Sequence, residues 1–376
     1  MTSDRQSPAA AAPSAAPLHF AISCGGTGGH FYPGLATAAE LRRRGHRVTL
    51  WLTGRPSERA AEAAWDGPVV RIPAPIPTRT PLGLLRALVA FRRATALARA
   101  EMRRDRPSAL LAMGSYTSIG PARAALAERV PLVFHEGNVI PGDVIRWFAP
   151  RAAAVAAAFP EAAPHLRRAR RFVPVGMPLR QDLLDAAASL PPRSSLVTRH
   201  SSLHVLVVGG SLGAHALNLL AADALIALAA THPLRVTHLA GAADAPAIRD
   251  RYAAAALPAD VRDYCSDMAP LYASADLAIA RAGGSTCAEL ALFGLPAYLV
   301  PFPHAAADHQ SANAAALFSR GAALWSRESA LTPAALATAL ESMLPTLPAM
   351  SSSALSSALP DASTRLSSLL ESLATP

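Results

Sequence analysis

Four short segments of the chain combine small residues, hydroxyls and titratable side chains in a way that could hold an anion and move a proton. The first is Gly25-Gly26-Thr27-Gly28-Gly29-His30. Glycines let a backbone approach a ligand with no Cβ in the way, and a helix N-terminus behind them favours negative charge. His30 adds the side chain whose ordinary pKa best suits proton transfer near neutrality. A tight strand-to-helix turn with no ligand has the same pattern. The segment is not the dinucleotide fingerprint, because G-x-G-x-x-G is absent and Leu52-Thr53-Gly54 stands where an acidic residue would end the second strand.

The second segment is Gly209-Gly210-Ser211-Leu212-Gly213-Ala214, where Ser211 can serve a phosphate or simply cap a helix. The third, Arg281-Ala282-Gly283-Gly284-Ser285-Thr286-Cys287-Ala288-Glu289, joins a small-residue turn to a carboxylate about one helical turn later. That pairing suits a diphosphate and a ribose hydroxyl, although Glu289 alone reads equally well as a solvated or capping carboxylate. The fourth runs Pro301-Phe302-Pro303-His304, then Asp308-His309-Gln310 and Asn313, polar amides after a strand that could hold a sugar. His304, Asp308 and His309 do not repeat as H-x-x-x-H on one helix face, so no metal site is expected there. The chain also has no D-x-D pair of the kind that clamps a metal on a nucleotide diphosphate.

Each glycine segment must be carried by a strand that ends and a helix that begins. Apolar runs at Leu18–Ser23, Arg47–Leu52, Ala109–Met113, Pro131–Phe134 and Phe172–Val175 alternate with helical patterns at Phe31–Arg44, Leu82–Met102 and Ile119–Glu128. The opening motif then recurs as Leu203–Val208, a glycine turn and a helix from Ala214, with further strands at Leu234–Leu239, Leu277–Ala280 and Ala297–Val300. Strands alternating with helices make parallel sheets with crossover helices. Two such series predict an α/β chain of two Rossmann-like domains, their parallel sheets facing a central cleft. The expected divisions are a flexible tail over 1–17, a first domain over 18–180 and a linker over 181–202. A second domain covers 203–345, and a Ser- and Ala-rich segment over 346–376 either frays or closes the fold as a last helix.

Composition narrows the chemistry. All 35 basic residues are arginine, so a P-loop lysine, a lysine Schiff base and a pyridoxal-phosphate lysine are excluded. Residues 1–200 hold 27 Arg against 13 acidic residues, a balance of +14, whereas 201–376 hold 8 against 13, a balance of −5. A basic half joined to a mildly acidic one suggests that the first half meets an anionic partner. Cys24, Cys265 and Cys287 show neither a disulfide framework nor zinc spacing, which fits a reducing cytoplasm. Residues 1–17 lack the basic start and apolar core of a signal peptide, and no uncharged apolar run is long enough to span a bilayer. Aromatic residues are 5% of the chain, and no helix-turn-helix, zinc or RNP signature is present, so a nucleic-acid partner is not expected.

Taken together, the four segments resemble the MurG family of glycosyltransferase family 28, over about Leu18 to Leu344. Met113-Gly114-Ser115-Tyr116, His135-Glu136-Gly137-Asn138 and Gly176-Met177-Pro178-Leu179-Arg180 add to the resemblance. It implies a GT-B fold and an inverting transferase without cofactor or metal. The implied reaction moves N-acetylglucosamine from UDP-N-acetylglucosamine to the C4 hydroxyl of the muramoyl sugar of lipid I, undecaprenyl-pyrophosphoryl-N-acetylmuramoyl-pentapeptide. The enzyme would work peripherally on the cytoplasmic face of the inner membrane, in peptidoglycan synthesis.

By the same resemblance, donor contacts fall on Thr27, Gly28, Gly29, Asn138, Arg180, Ser211, Cys265, Gly284, Ser285, Thr286, Glu289 and Gln310. His30 falls on the base for the acceptor hydroxyl, with Glu136 as a rival, and Tyr116 and His135 fall on the acceptor side. Two positions depart from the family pattern: it usually has Gln where Gly137 stands and a second Gly where Ser115 stands. A lipid acceptor requires membrane contact, and the stretch from Arg79 to Arg93 is basic and amphipathic, with Leu82, Leu85, Leu88 and Phe91 apolar and Arg86 and Arg92 basic. A crossover helix packing on its own sheet would read the same. The rival within the enzyme class is another GT-B UDP-sugar transferase acting on a lipid such as diacylglycerol. A UDP-N-acetylglucosamine 2-epimerase shares the architecture but would need further catalytic carboxylates.

Overall fold

The structure, a computed structural model, describes residues 16–26, 28–55, 58–75, 80–191, 202–210 and 214–374. Apolar runs that alternate with helices build two parallel sheets. β1 (His19–Ser23), β2 (Arg47–Leu52), β3 (Val69–Arg71), β4 (Ala109–Ala112), β5 (Leu132–Glu136), β6 (Ala154–Ala157) and β7 (Phe172–Pro174) pair in the order β3-β2-β1-β4-β5-β6-β7. β8 (Leu203–Val208), β9 (Leu234–Leu239), β10 (Ala259–Arg262), β11 (Leu277–Ala280), β12 (Ala297–Leu299) and β13 (Ala323–Trp325) pair as β10-β9-β8-β11-β12-β13. Every position of β1, β4, β5, β6 and β11 is buried, as expected of parallel strands covered on both faces. Both sheets share a local device. His19 Nε2 is hydrogen-bonded to Thr49 Oγ1 at 2.9 Å across β1 and β2, and His204 Nε2 to Thr237 Oγ1 at 2.8 Å across β8 and β9.

In the first unit the helices are α1 (Gly28–Arg43), α2 (Arg59–Glu62), α3 (Pro81–Arg104), α4 (Ile119–Ala127) and α5 (Asp143–Phe148). They continue as α6 (Gln181–Ala188), α7 (His215–Ala229), α8 (Ala245–Ala254), α9 (Ala269–Ser274), α10 (Gly284–Leu292), α11 (His309–Ser319) and α12 (Pro333–Met343). The chain closes with α13 (Leu347–Ser357) and α14 (Ala362–Leu373). α1 packs tightly on β1 because Gly34 has no side chain: a Cβ there would lie 2.5 Å from that of Cys24.

Strand order reverses between β1 and β4 in one sheet and between β8 and β11 in the other. Ligands of open parallel sheets bind outside the carboxyl ends of the strands at such switch points. The segments starting at Gly25 and Met113 leave β1 and β4, and those starting at Gly209 and Arg281 leave β8 and β11. The sequence thus puts its glycine turns at the two places where the topology opens a crevice.

The observed divisions differ from the expected ones at two points. Gln181–Ala188, expected within a linker, is α6, and its Leu183 is buried with Leu271 and Tyr272 in the second unit's core. The segment after residue 345 forms two helices that go to different units. α13 packs on α10, whereas α14 buries Leu366, Leu369 and Leu370 with Phe20 and Ile22 of the first unit. Glu371 then pairs with Arg44 at 2.8 Å and His46 at 2.9 Å. The chain therefore crosses between the units twice, from β7 to α6 and from α13 to α14. The two crossings touch: a Cβ on Gly176, whose φ is +93°, would lie 2.8 Å from the Leu359 Cβ. Residues 1–15 of the expected tail and 192–201 of the expected linker lie outside the described residues.

Candidate active site

Two connected cavities occupy the cleft. The larger, of about 450 Å³, is lined by Gly28, Gly29 and Tyr32 of α1, by Arg180, by Tyr264-Cys265-Ser266, and by Gly283 to Thr286 with Glu289 and Gln310. Its volume is in the range that encloses a small-molecule ligand. The smaller, of about 330 Å³, is lined by Gly29, His30, Met113, His135, Gly137, Asn138, Met177, Gly283, Gly284, Ser285, His309 and Gln310. Gly29, Gly283, Gly284, Ser285 and Gln310 face both spaces, so the two adjoin along these residues.

α10 supplies the anion-facing end of the larger cavity. Gly283 caps it in extended conformation, and the hydroxyls of Ser285 and Thr286 sit on its first turn, where free backbone N–H groups gather. One turn further, Glu289 Oε2 accepts a 2.7 Å hydrogen bond from the Tyr272 hydroxyl. Burial raises the Glu289 pKa, which the Tyr272 hydrogen bond and the charge of Arg180 oppose. Arg180 stacks 5.5 Å over the Tyr32 ring and points its guanidinium at the Ser266 carbonyl. Tyr32 of the first unit and Tyr264 of the second both line this cavity, and burial, followed by the nearby Tyr264, raises the Tyr32 pKa. The Cys265 thiol turns away to the Asp267 carbonyl at 3.0 Å, leaving the backbone of that turn at the cavity. Gln310 Oε1 accepts from Ala282 N at 3.2 Å and Phe302 N at 2.9 Å, which fixes the amide plane between the cavities.

His30 is half-buried on the first turn of α1. Burial and the neighbouring His309 lower its pKa to about 4, so the ring is neutral at pH 7 and can accept a proton. An anionic diphosphate arriving nearby would favour the protonated ring and strengthen it as a base. His135 is buried, also lowered to about 4 by burial, and donates from Nε2 to the Gly176 carbonyl at 2.9 Å. It is anchored at the cavity wall.

The structure adds to three expectations. Glu136 is held differently from His30: Oε1 accepts from Asn138 N at 2.9 Å and Nδ2 at 3.1 Å, and Oε2 accepts from Gly142 N at 2.9 Å. Burial raises its pKa to about 7, and both oxygens are turned into the 137–142 loop, away from the cavity lining. Tyr116 lines neither cavity and is 46% exposed. It follows Ser115, whose φ of +66° is a left-handed backbone that explains why a glycine is usual there. Phe91 is half-buried against the first unit's core, whereas Leu82, Leu85, Leu88, Arg86 and Arg92 of the same helix are exposed. Thr27 and Ser211 lie outside the described residues.

Asn138 also has a second partner. Its Oδ1 accepts from Asn313 Nδ2 at 3.0 Å, and Asn313 further donates to the Ala282 carbonyl at 3.0 Å and accepts from Val139 N at 2.9 Å. Asn313 is 0% exposed and rivets one unit to the other beside the reacting space. Gly284 lies so close to the Gly137 carbonyl that a Cβ would stand 2.0 Å from its oxygen. The sequence puts Asn313 in a sugar-holding loop and Met177 in a family segment, and nothing in it singles out Tyr32 or Tyr264. Tyr32 and Tyr264 were signalled only by standing next to expected contacts on the same turns.

Residues 20–157 match the Glycosyltransferase family 28 N-terminal domain, and residues 204–366 match the Glycosyltransferase family 28 C-terminal domain. A UDP-N-acetylglucosamine--N-acetylmuramyl-(pentapeptide) pyrophosphoryl-undecaprenol N-acetylglucosamine transferase of Bordetella pertussis is 41% identical over 84% of this chain and 86% of its own. The chain belongs to the MurG branch of glycosyltransferase family 28. The enzyme of the same description from Thiobacillus denitrificans is 40% identical over 94% of this chain and 97% of its own. The crystal structure of Acinetobacter baumannii MurG superposes with a TM-score of 0.79 at 30% identity, covering 95% of this chain and 100% of that one. This family 28 member is thus a GT-B glycosyltransferase, and its two glycine-rich switch points are the facing walls of one cleft. No helix among the described residues is long and apolar enough to cross a membrane.

Proposed function

We propose that this chain transfers N-acetylglucosamine from UDP-N-acetylglucosamine to the C4 hydroxyl of the muramoyl sugar of lipid I, with inversion at the anomeric carbon. The observation that carries the reading is the junction of the two cavities, where Ser285 and Gln310 of the second unit face the same space as His30 of the first. UDP-sugar occupies the larger cavity with its diphosphate at the start of α10. Developing charge on the leaving UDP is met there by backbone N–H groups and by the Ser285 and Thr286 hydroxyls. Glu289 takes the ribose hydroxyls. The acceptor hydroxyl attacks the donor C1 from the His30 side, opposite the departing UDP, and the neutral imidazole takes its proton.

Lipid I is reached at the cytoplasmic face of the membrane through α3. Leu82 and Leu85 are 57% and 58% exposed, and Arg86 and Arg92 flank them. An exposed row of leucines among arginines suits an anionic headgroup layer. The whole reading is tested by incubating the protein with UDP-N-acetylglucosamine and a soluble lipid I analogue and measuring UDP release. Release with diacylglycerol, and none with the lipid I analogue, would overturn it in favour of the other lipid acceptor.

A further inference from the structure

We infer that Glu58 and Thr117 clamp a single peptide plane, Gly25–Gly26, and thereby set where His30 stands; Glu58 is a positioning residue of the transfer reaction. The inference rests on His30 acting as the base. Glu58 lies on the turn leading into α2, is 1% exposed and lines neither cavity. Its Oε1 accepts from Gly26 N at 2.8 Å and from the Thr53 hydroxyl at 2.6 Å. Its Oε2 accepts from Thr53 N at 2.9 Å, Gly54 N at 2.8 Å and Arg55 N at 3.3 Å. A carboxylate removed from water is tolerated when donors of this kind surround it.

The Gly26 N–H belongs to the same peptide unit as the Gly25 carbonyl. That carbonyl accepts a 2.8 Å hydrogen bond from the hydroxyl of Thr117, itself 3% exposed. One plane is therefore held at both ends, from β2's exit on one side and β4's exit on the other. A side chain on Gly25 would put its Cβ 2.9 Å from Glu58 Oε1, so the contact also requires glycine at that position. The plane leads into Gly26, whose φ of +127° turns the chain toward α1 and His30.

The clamp also changes what this turn is for. In a nucleotide-binding Rossmann turn, such N–H groups face a phosphate. Here the Gly26 N–H is bonded to a buried carboxylate of the chain itself, so that donor is not offered to a ligand. The start of the turn thus serves to orient α1, while Gly28 and Gly29 further on line the larger cavity.

The test uses the full-length protein with UDP-N-acetylglucosamine and a soluble lipid I analogue. Glu58→Gln presents an amide NH2 to backbone donors, and Thr117→Val removes the other grip at nearly constant volume. Each is expected to lower kcat by about 10- to 100-fold, as misplacement of a reacting group does, with KM for the donor unchanged. In a His30→Ala background Thr117→Val should slow the reaction no further, because the group being positioned is gone. Should Glu58→Gln fail to fold, Thr117→Val decides alone. Wild-type turnover in Thr117→Val, or an undiminished loss in the His30→Ala background, overturns the clamp. Full turnover in His30→Ala itself refutes the base assignment instead.

Discussion

Replacing Asn313 by Ala should loosen the two units while leaving each one folded. The side chain makes two hydrogen bonds across the cleft, one accepted from Val139 N and one donated to Asn138 Oδ1. At a net worth of about 0.5–1.5 kcal/mol apiece, they favour the closed arrangement by about 1–3 kcal/mol. That corresponds to about 5- to 150-fold in the opening equilibrium. The third bond, to the Ala282 carbonyl, lies within the second unit and affects the setting of the α10 turn. Opening lets water reach the orphaned Val139 N–H, so the loss should appear as domain separation instead of unfolding. The expected result is a fall in kcat/KM within that range, a larger radius of gyration by X-ray scattering and an unchanged far-UV circular dichroism spectrum. Asn313→Asp should be at least as harmful, since it sets an oxygen against two acceptors. Wild-type kcat/KM with an unaltered scattering profile in Asn313→Ala would refute the rivet.

Four further outcomes follow from the site and from α3. His30→Ala should reduce kcat by about 10²–10⁴-fold while UDP-N-acetylglucosamine affinity, measured by calorimetry, stays unchanged. In the unaltered protein the lowered His30 pKa keeps the base form in place as pH falls, so kcat/KM should hold through pH 6 and drop only toward about 4; a limb at the ordinary 6.5 would contradict the burial effect. The triple change Leu82→Gln, Leu85→Gln and Leu88→Gln should weaken binding to anionic vesicles with no change in Tm. Phe91→Ser, by contrast, should cost about 2 kcal/mol of stability in urea titration through lost packing on the first unit's core.

The turns at the ends of β1, β8 and β11 were legible because glycine clusters after apolar runs mark both the end of a strand and the place where a parallel sheet opens. β6 was not legible: Ala154–Ala157 carries little strand preference of its own and becomes a strand by being buried between β5 and β7. Phe91 and Leu85 share one amphipathic stretch, and periodicity does not say which side of such a helix meets a sheet. Glu136 sits in a motif that reads as chemistry, yet its donors lie within six residues and form only when the 137–142 loop folds back. The clamp and the rivet join partners far apart in the chain. Glu58 meets Gly26 across 32 residues, and Asn138 meets Asn313 across 175. Neither glutamate nor asparagine announces such a partner, because pairing at that distance is a product of the topology.

The two chain crossings that touch at Gly176 and Leu359 have a mechanical consequence. Two tethers lying side by side act as one pivot, and a twist about any other axis would pull one of them taut. Movement of one unit against the other is therefore concentrated at this one place. On closing, that movement stops where Gly284 meets the Gly137 carbonyl, main chain against main chain. The gap between donor and base is therefore gauged by a backbone contact together with the Asn313 side chain beside it. Any side chain at position 284 would wedge the cleft ajar.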